Sequence, residues 1–267
     1  MIDDLVKSIK DVVKKPVRPL VRKLRRQIHE QTWRRLNLEW TLRSGITIKV
    51  INHCDWVLYN DIFVEGEYDL PIKNALQSGA DRGCLNILDL GANVGFFVLR
   101  VIDLFQGSGS KIPYQFSLVE ASNREIDDLR SRLASQNLLS DNINLIHGLI
   151  GQKSGTGQIG EQEFHGMNSV FFNQGTRGTN VEFIDLTGVL EGSEIDLLKC
   201  DIEGSELIFL ENYWDSLGRV KAAVFEFHHD LCDPSECTEY LRKAGFVNSQ
   251  VLTSHEKHEI STRYFWR

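Results

Sequence analysis

No paired Cys-x-x-Cys motif, no secretory leader, no internal repeat and no low-complexity tract occurs in these 267 residues. The five cysteines, Cys54, Cys84, Cys200, Cys232 and Cys237, are an odd number at irregular spacing. This excludes a regular disulfide framework and reads as reduced thiols of a cytoplasmic protein. Cys232 and Cys237 lie near two histidines, but their spacing fits no familiar zinc pattern. The basic N-terminal segment lacks the run of about 18 apolar residues that spans a bilayer.

Charge is distributed unevenly. Residues 1–36 hold eleven Lys/Arg against four Asp/Glu, and the rest holds 19 against 33, so a segment of +7 precedes a body of −14. An acidic body argues against a nucleic-acid partner, which would require a basic face on the catalytic domain. In the basic segment, Leu5, Ile9, Val12 and Val13 share a helical face from Asp3 to Lys15. Pro16 and Pro19 interrupt, and a second helix is expected from Leu20 to about Leu36. Two readings stand: a peripheral contact with anionic membrane through residues 1–36, or packing of the narrow apolar stripes on the same domain or a second subunit in a homo-oligomer.

The stretch with the most chemistry is Asn86-Ile-Leu-Asp-Leu-Gly-Ala-Asn-Val-Gly-Phe-Phe-Val-Leu-Arg100, an apolar strand, a turn with two glycines and an apolar helix. Gly91 and Gly95 allow a sharp bend and close approach of a ligand, as in nucleotide cradles. Asn93 stands between them, so the central glycine of the dinucleotide fingerprint is missing. Asp89 precedes the turn, where it would repel phosphate and attract an amine. The pattern points to S-adenosylmethionine rather than NAD. A second strand, Tyr114–Val119, closes on Glu120, which is placed to accept hydrogen bonds from both ribose hydroxyls; Ala121 follows it. A third strand, Ile143–Ile150, brings Gly148 to where an adenine could stack.

Upstream, residues 44–58 alternate as a hairpin, and a helix begins near Leu70 with Pro71 in its first turn. This preamble would be a lid or a floor for the turn. Downstream, residues 151–180 are glycine-rich loops and short strands offering His165, Asn168 and Ser169 as substrate contacts. A fourth strand, Ile195–Cys200, ends at Asp201-Ile-Glu203-Gly-Ser-Glu206, with a helix to Leu210. A fifth, Ala222–Phe227, carries Glu226 and ends at His228 and His229. A helix over Pro234–Ala244 and a closing hairpin, Phe246–Leu252 with Arg263–Trp266, complete the chain.

Four segments, Ile62-Phe-Val-Glu-Gly-Glu-Tyr68, Asp89-Leu-Gly-Ala-Asn-Val-Gly95, Leu198-Lys-Cys-Asp-Ile-Glu-Gly-Ser-Glu206 and Val224-Phe-Glu-Phe-His228, resemble the FkbM family of S-adenosylmethionine-dependent methyltransferases. The similarity runs over about residues 60–250, and Lys-x-Asp-x-Glu-Gly-x-Glu is its most specific element. The resemblance implies an α/β, Rossmann-like class I methyltransferase fold: a seven-stranded, mostly parallel sheet with the last strand antiparallel and helices on both faces. It also implies O-methylation of a sugar or natural-product hydroxyl. Asp89, Gly91 and Gly95 carry over as the cofactor turn, Glu120 as the ribose ligand, and Asp201, Glu203 and Glu206 as the fourth-strand motif. Cys200 departs from the apolar residue often found there. Residues 1–40 would be a basic helical extension, 41–80 the preamble and 81–267 the methyltransferase domain.

No Asn/Asp-Pro-Pro-Tyr/Phe run follows the fourth strand and no Pro-Cys occurs, which speaks against base amines and cytosine C5 as acceptors. The expectation is an O-methyltransferase acting on a saccharide, glycolipid or other small molecule. The alternatives are a non-catalytic scaffold of the same fold, a methyltransferase for a non-sugar acceptor, and more weakly an NAD-dependent oxidoreductase. Four carboxylates at strand ends favour the enzyme. A neutral His228 or Asp201 would be the base, with Glu226 and Glu203 beside it, and His229 would face substrate. Asp201 and Glu226 could hold a divalent cation that chelates sugar hydroxyls.

Overall fold

The computed structural model describes residues 31–33, 35–36, 38–160, 178–255 and 259–267. The expected N-terminal helices, apart from a few helical residues between 31 and 36, and His165, Asn168 and Ser169 lie outside the described residues.

Seven strands form the central sheet: β3 (Leu85–Leu90), β4 (Tyr114–Glu120), β5 (Ile143–His147), β8 (Leu197–Cys200), β9 (Ala222–His228), β10 (Asn248–His255) and β11 (Ile260–Trp266). Their order is β10-β11-β9-β8-β3-β4-β5. β3, β4, β5, β8 and β9 pair in parallel, whereas β11 runs antiparallel to both β9 and β10. β8 is buried at every position, as expected of a central parallel strand covered on both faces.

Alternation along β3 builds both layers of core. Ile87 packs with the helices α2 (Asp69–Arg82) and α3 (Phe96–Gly107), while Leu88 and Leu90 face the layer that contains Phe209, Tyr213, Phe225 and Leu241. That second layer is closed by α6 (Glu206–Tyr213) and α7 (Pro234–Lys243). α4 (Asn123–Ala134) starts where the Ser122 side chain accepts the Glu125 N–H, and α7 where Asp233 accepts the Ser235 N–H. α5 (Thr187–Leu190) is a single turn.

The hairpin ahead of the main domain is displaced from its expected position. It pairs β1 (Leu38–Thr41) with β2 (Thr47–Val50), and His53–Tyr59 is a helix, α1. Asn52 is the cause: its side chain accepts the Asp55 N–H and so starts a helix where alternation suggested a strand. A π-helical turn, Asn60–Val64, continues α1. The preamble packs in one core with Ala92 and Val94 of the glycine turn and braces the helices that flank it. Asp55, fully buried, receives Arg132 at 2.6 Å, and Asp69 receives the Arg100 guanidinium in a fork of two 2.8 Å bonds. Breaking the more buried of the two pairs, Asp55 with Arg132, costs about 3–5 kcal/mol.

β6 (Thr156–Ile159) and β7 (Thr179–Glu182) form a separate two-stranded ribbon. Among the described residues no helix is long and apolar enough to cross a membrane.

Candidate active site

The carboxyl edge of the sheet gathers two groups of acidic side chains, one after β3 and β4, the other after β8 and β9. In the first, Gly91 (φ +78°), Asn93 (φ +50°) and Gly95 (φ +91°) bend the chain from β3 into α3. Asn93 holds its left-handed backbone with its own side chain, which accepts the Val94 N–H at 2.7 Å. The Glu120 carboxylate accepts the Asn93 N–H through Oε2 and the Ser122 N–H through Oε1, each at 2.8 Å. Two backbone donors fix its orientation and leave further lone pairs of each oxygen open. Burial nevertheless outweighs these bonds and lifts its pKa to about 7.

Gly91, Asn93, Glu120, Ala121 and Gly148 line one pocket, with Leu149, Ile150 and Ile159 as apolar walls. An apolar slot beside a carboxylate with open lone pairs fits an adenosine, whose base is flat and whose ribose is a diol. Gly148 permits the close turn after β5, since a Cβ there would lie 2.4 Å from Ile184.

Asp201, Ile202 and Glu203 form the opposite wall of the pocket. The two halves touch at Gly91, where an added Cβ would lie 1.7 Å from the Asp201 carbonyl oxygen. Lys199 ties them from below. Its ammonium donates to the Gly91 carbonyl at 2.9 Å and lies 3.3 Å from Asp89 Oδ1 and 3.4 Å from Asp201 Oδ2. Asp89 and Asp201 push the Lys199 pKa up against the effect of burial. Asp89 itself is fully buried, its pKa raised by burial, and it does not line the pocket. Placed at the amine end of a methionine moiety by the sequence, it contacts Lys199 beneath the turn and reaches the pocket only through that turn.

In the second group, Glu203 has a left-handed backbone (φ +54°), an unusual conformation for a residue with a Cβ. Glu206 pins this turn: its Oε1 accepts the N–H groups of Ile202 and Gly204, both at 3.1 Å. His228 faces three carboxylates, with Nε2 at 3.1 Å from Glu203 and 3.7 Å from Glu226, and Nδ1 at 3.5 Å from Glu206. Although burial opposes charging, these neighbours lift its pKa to about 12, so the ring is an imidazolium. The neutral His228 base expected from the sequence is therefore corrected, because Glu203 and Glu206 arrive from a different strand end. Burial and the surrounding carboxylates also raise Glu226 well above its ordinary range, and Glu203 to about 7.

Asp201 Oδ1 is buried and accepts no hydrogen bond from the protein. Asp201, Glu203 and His228 can bring one ligand atom each within 4.8 Å of one another, the one such trio among the described residues. The trio shares Asp201 with the cation pair expected from sequence, Asp201 with Glu226, and adds Glu203 and His228. His229 lies outside the cluster, exposed, with its ring 2.8 Å from Ser261 on β11. Sequence reasoning assigned no role to Lys199 or Glu67, although both lie in quoted motifs. Glu67 hydrogen-bonds Thr253 on β10 and adds to the negative field that raises Glu226.

The chain matches the Methyltransferase FkbM domain over residues 89–247. Among solved structures it resembles methyltransferase FkbM from Methylobacillus flagellatus KT, at 15% identity and a TM-score of 0.52, over 91% of this chain and 59% of that one. Precorrin-6y C5,15-methyltransferase from Geobacter metallireducens GS-15 matches at 13% identity and a TM-score of 0.45, over 76% of this chain and 88% of that one. The N-terminal domain of human METTL16 matches at 14% and 0.46, over 88% and 89%. No curated protein gives a significant sequence match.

Proposed function

Because this chain belongs to the FkbM methyltransferase family, a class that depends on S-adenosylmethionine, we propose that it methylates a hydroxyl of a saccharide, glycolipid or natural product. The observation that carries this reading is the part-exposed Asp201 carboxylate, which lines the slot beside Glu120 and also belongs to the Glu203 and His228 grouping. The −14 body disfavours a nucleic-acid acceptor.

Glu120 would hold the ribose, Leu149, Ile150 and Ile159 the base, and the Gly91–Gly95 turn the chain between them. When bound, S-adenosylmethionine supplies an electrophilic sulfonium methyl. Asp201 is the group suited to take the acceptor's proton as the oxygen attacks, because it lines the slot with its side chain 24% exposed and Lys199 at 3.4 Å steadies Oδ2. Alignment of the acceptor does most of the work. Glu203, Glu226 and the His228 imidazolium offer both hydrogen-bond acceptors and donors to a polyhydroxylated ligand. A second reading, favoured by the Asp201, Glu203 and His228 trio, is that these residues hold a divalent cation, whose chemistry would be to acidify a chelated hydroxyl.

Calorimetry with S-adenosylhomocysteine and NAD, followed by single-turnover methylation of glycan and glycolipid acceptors with and without chelator, tests these roles. Tight S-adenosylhomocysteine binding with transfer to no hydroxyl acceptor would leave the scaffold or non-sugar reading. Indifference to chelator would remove the cation.

A further inference from the structure

The preamble carries an aromatic ladder whose Trp33, Trp40, Tyr59 and Phe63 pack, partly buried, against the core while Trp56 is left exposed. Trp33 lies against Trp56 with ring centroids 6.4 Å apart, Trp56 against Tyr59 at 6.0 Å, and Trp40 meets Tyr59 edge-on at 4.5 Å. Tyr59 stacks on Phe63 at 5.6 Å and an interplanar angle of 14°, which the π-helical turn makes possible by widening the helix between them. Around this ladder, Trp56 is 39% exposed, Leu36 52% and Val64 62%. Large apolar and aromatic groups clustered on a surface mark an interaction site, and Trp and Tyr suit a boundary that is apolar on one side and wet on the other.

Charge identifies the occupant. The segment that leads into this face, residues 1–36, carries +7 on a chain that is otherwise −14, and its described end places Trp33 within the ladder. A second copy's acidic body would also attract the basic segment, but aromatic rings beside Lys/Arg suit a headgroup boundary, and the second copy is left as an outcome of the test. We propose that the Trp33–Trp56–Tyr59 face and the basic segment together dock on an anionic lipid bilayer, with the aromatic rings at headgroup depth and the Lys/Arg residues paired to lipid charge. The face is joined to the site's rim. Phe63 packs edge-on to Phe96, the first residue of α3, and four residues later Glu67 reaches Thr253 beside the acidic cluster. Docking would bring that rim to the bilayer surface, where an acceptor carried by a lipid is within reach. The proposal stands apart from the chemistry of the site and is tested without it.

The full chain is sedimented with phosphatidylcholine vesicles and with phosphatidylcholine–phosphatidylglycerol vesicles, at low and high salt. S-adenosylhomocysteine affinity is measured in parallel to verify folding. Binding is expected only with phosphatidylglycerol, weakened by salt. Val64→Glu, at an exposed position that folding tolerates, should weaken partitioning by about tenfold, and Trp56→Ser similarly. Reversing Arg25, Arg26, Arg34 and Arg35 to Glu should abolish it. The proposal is overturned if the wild-type chain stays in the supernatant with anionic vesicles at low salt. It is also overturned if Val64→Glu and Trp56→Ser bind as wild type, or if they turn a dimer into a monomer.

Discussion

The two ends of the sheet's carboxyl edge solve the same electrostatic problem in opposite ways. At β4, Glu120 is held by backbone N–H groups, and glycines and apolar walls line the slot beside it; burial, helped by Glu125, raises it to about 7. At β8 and β9, Asp201, Glu203 and Glu226 are balanced by the side-chain cations Lys199 and His228. A backbone cradle recognises one rigid ligand and tolerates little change. A side-chain cluster shares protons and counter-charges, so it can suit different acceptors while the cradle beside it stays the same.

Substitution at the junction tests whether the halves are separable at all. Gly91→Ala combines a left-handed backbone with a Cβ 1.7 Å from the Asp201 carbonyl, so it should cost about 3 kcal/mol or more in denaturant unfolding and remove both cofactor binding and activity. Normal activity in this variant would mean that the turn and the β8 loop are not in contact.

Asp201→Asn should act on one half alone. The expected loss is about 10²–10⁴ in single-turnover rate, with S-adenosylhomocysteine affinity within a few fold of wild type. A near-full rate would remove Asp201 as the base. Glu120→Ala is the mirror case: S-adenosylhomocysteine binding should weaken by about 10–100-fold, from the loss of about 1.5–3 kcal/mol of charge-assisted bonding, and unaltered affinity would eliminate the ribose contact.

The smallest effect is a pH dependence. With its folded pKa raised from 4.5 to about 7, Glu120 favours the fold most when protonated; that contribution is full below pH 4.5 and is lost as pH rises through 7. Ribose hydroxyls favour the ionised form, so binding must expel the proton. S-adenosylhomocysteine affinity should fall about tenfold per unit below pH 7, with proton release seen as buffer-dependent binding enthalpy. Glu120→Gln should abolish that slope, and a flat profile in the wild type would mean that Glu120 does not change protonation on binding.

What was legible in the sequence tracks how local the determinant is. Strand, glycine turn and helix from Leu85 to Gly107 follow from neighbouring residues, as does Glu120 at the end of β4. The seven strands of the sheet and its antiparallel last strand followed from family resemblance, not from periodicity, and the strand order was not legible. The ion pair of Asp89 with Lys199 was not legible, because Lys199 lies on β8 and meets it only in the folded sheet. His228 looked like a neutral base for the same reason, since Glu203 and Glu206 are brought to it by tertiary packing. The hairpin was mislocated because one Asn52 cap outweighs an alternating pattern.

The contact at Gly204 bears on how new specificities could be built. A Cβ at this position would fall 2.4 Å from Leu231, and the N–H groups of Leu231 and Cys232 both bond the His228 carbonyl, at 2.9 and 2.8 Å. Segments 201–206 and 228–232 are therefore a single cassette. A chimera that imports one of them from a relative without the other would inherit a steric mismatch at the heart of the acceptor region, whereas exchanging both together should transplant a working recognition surface.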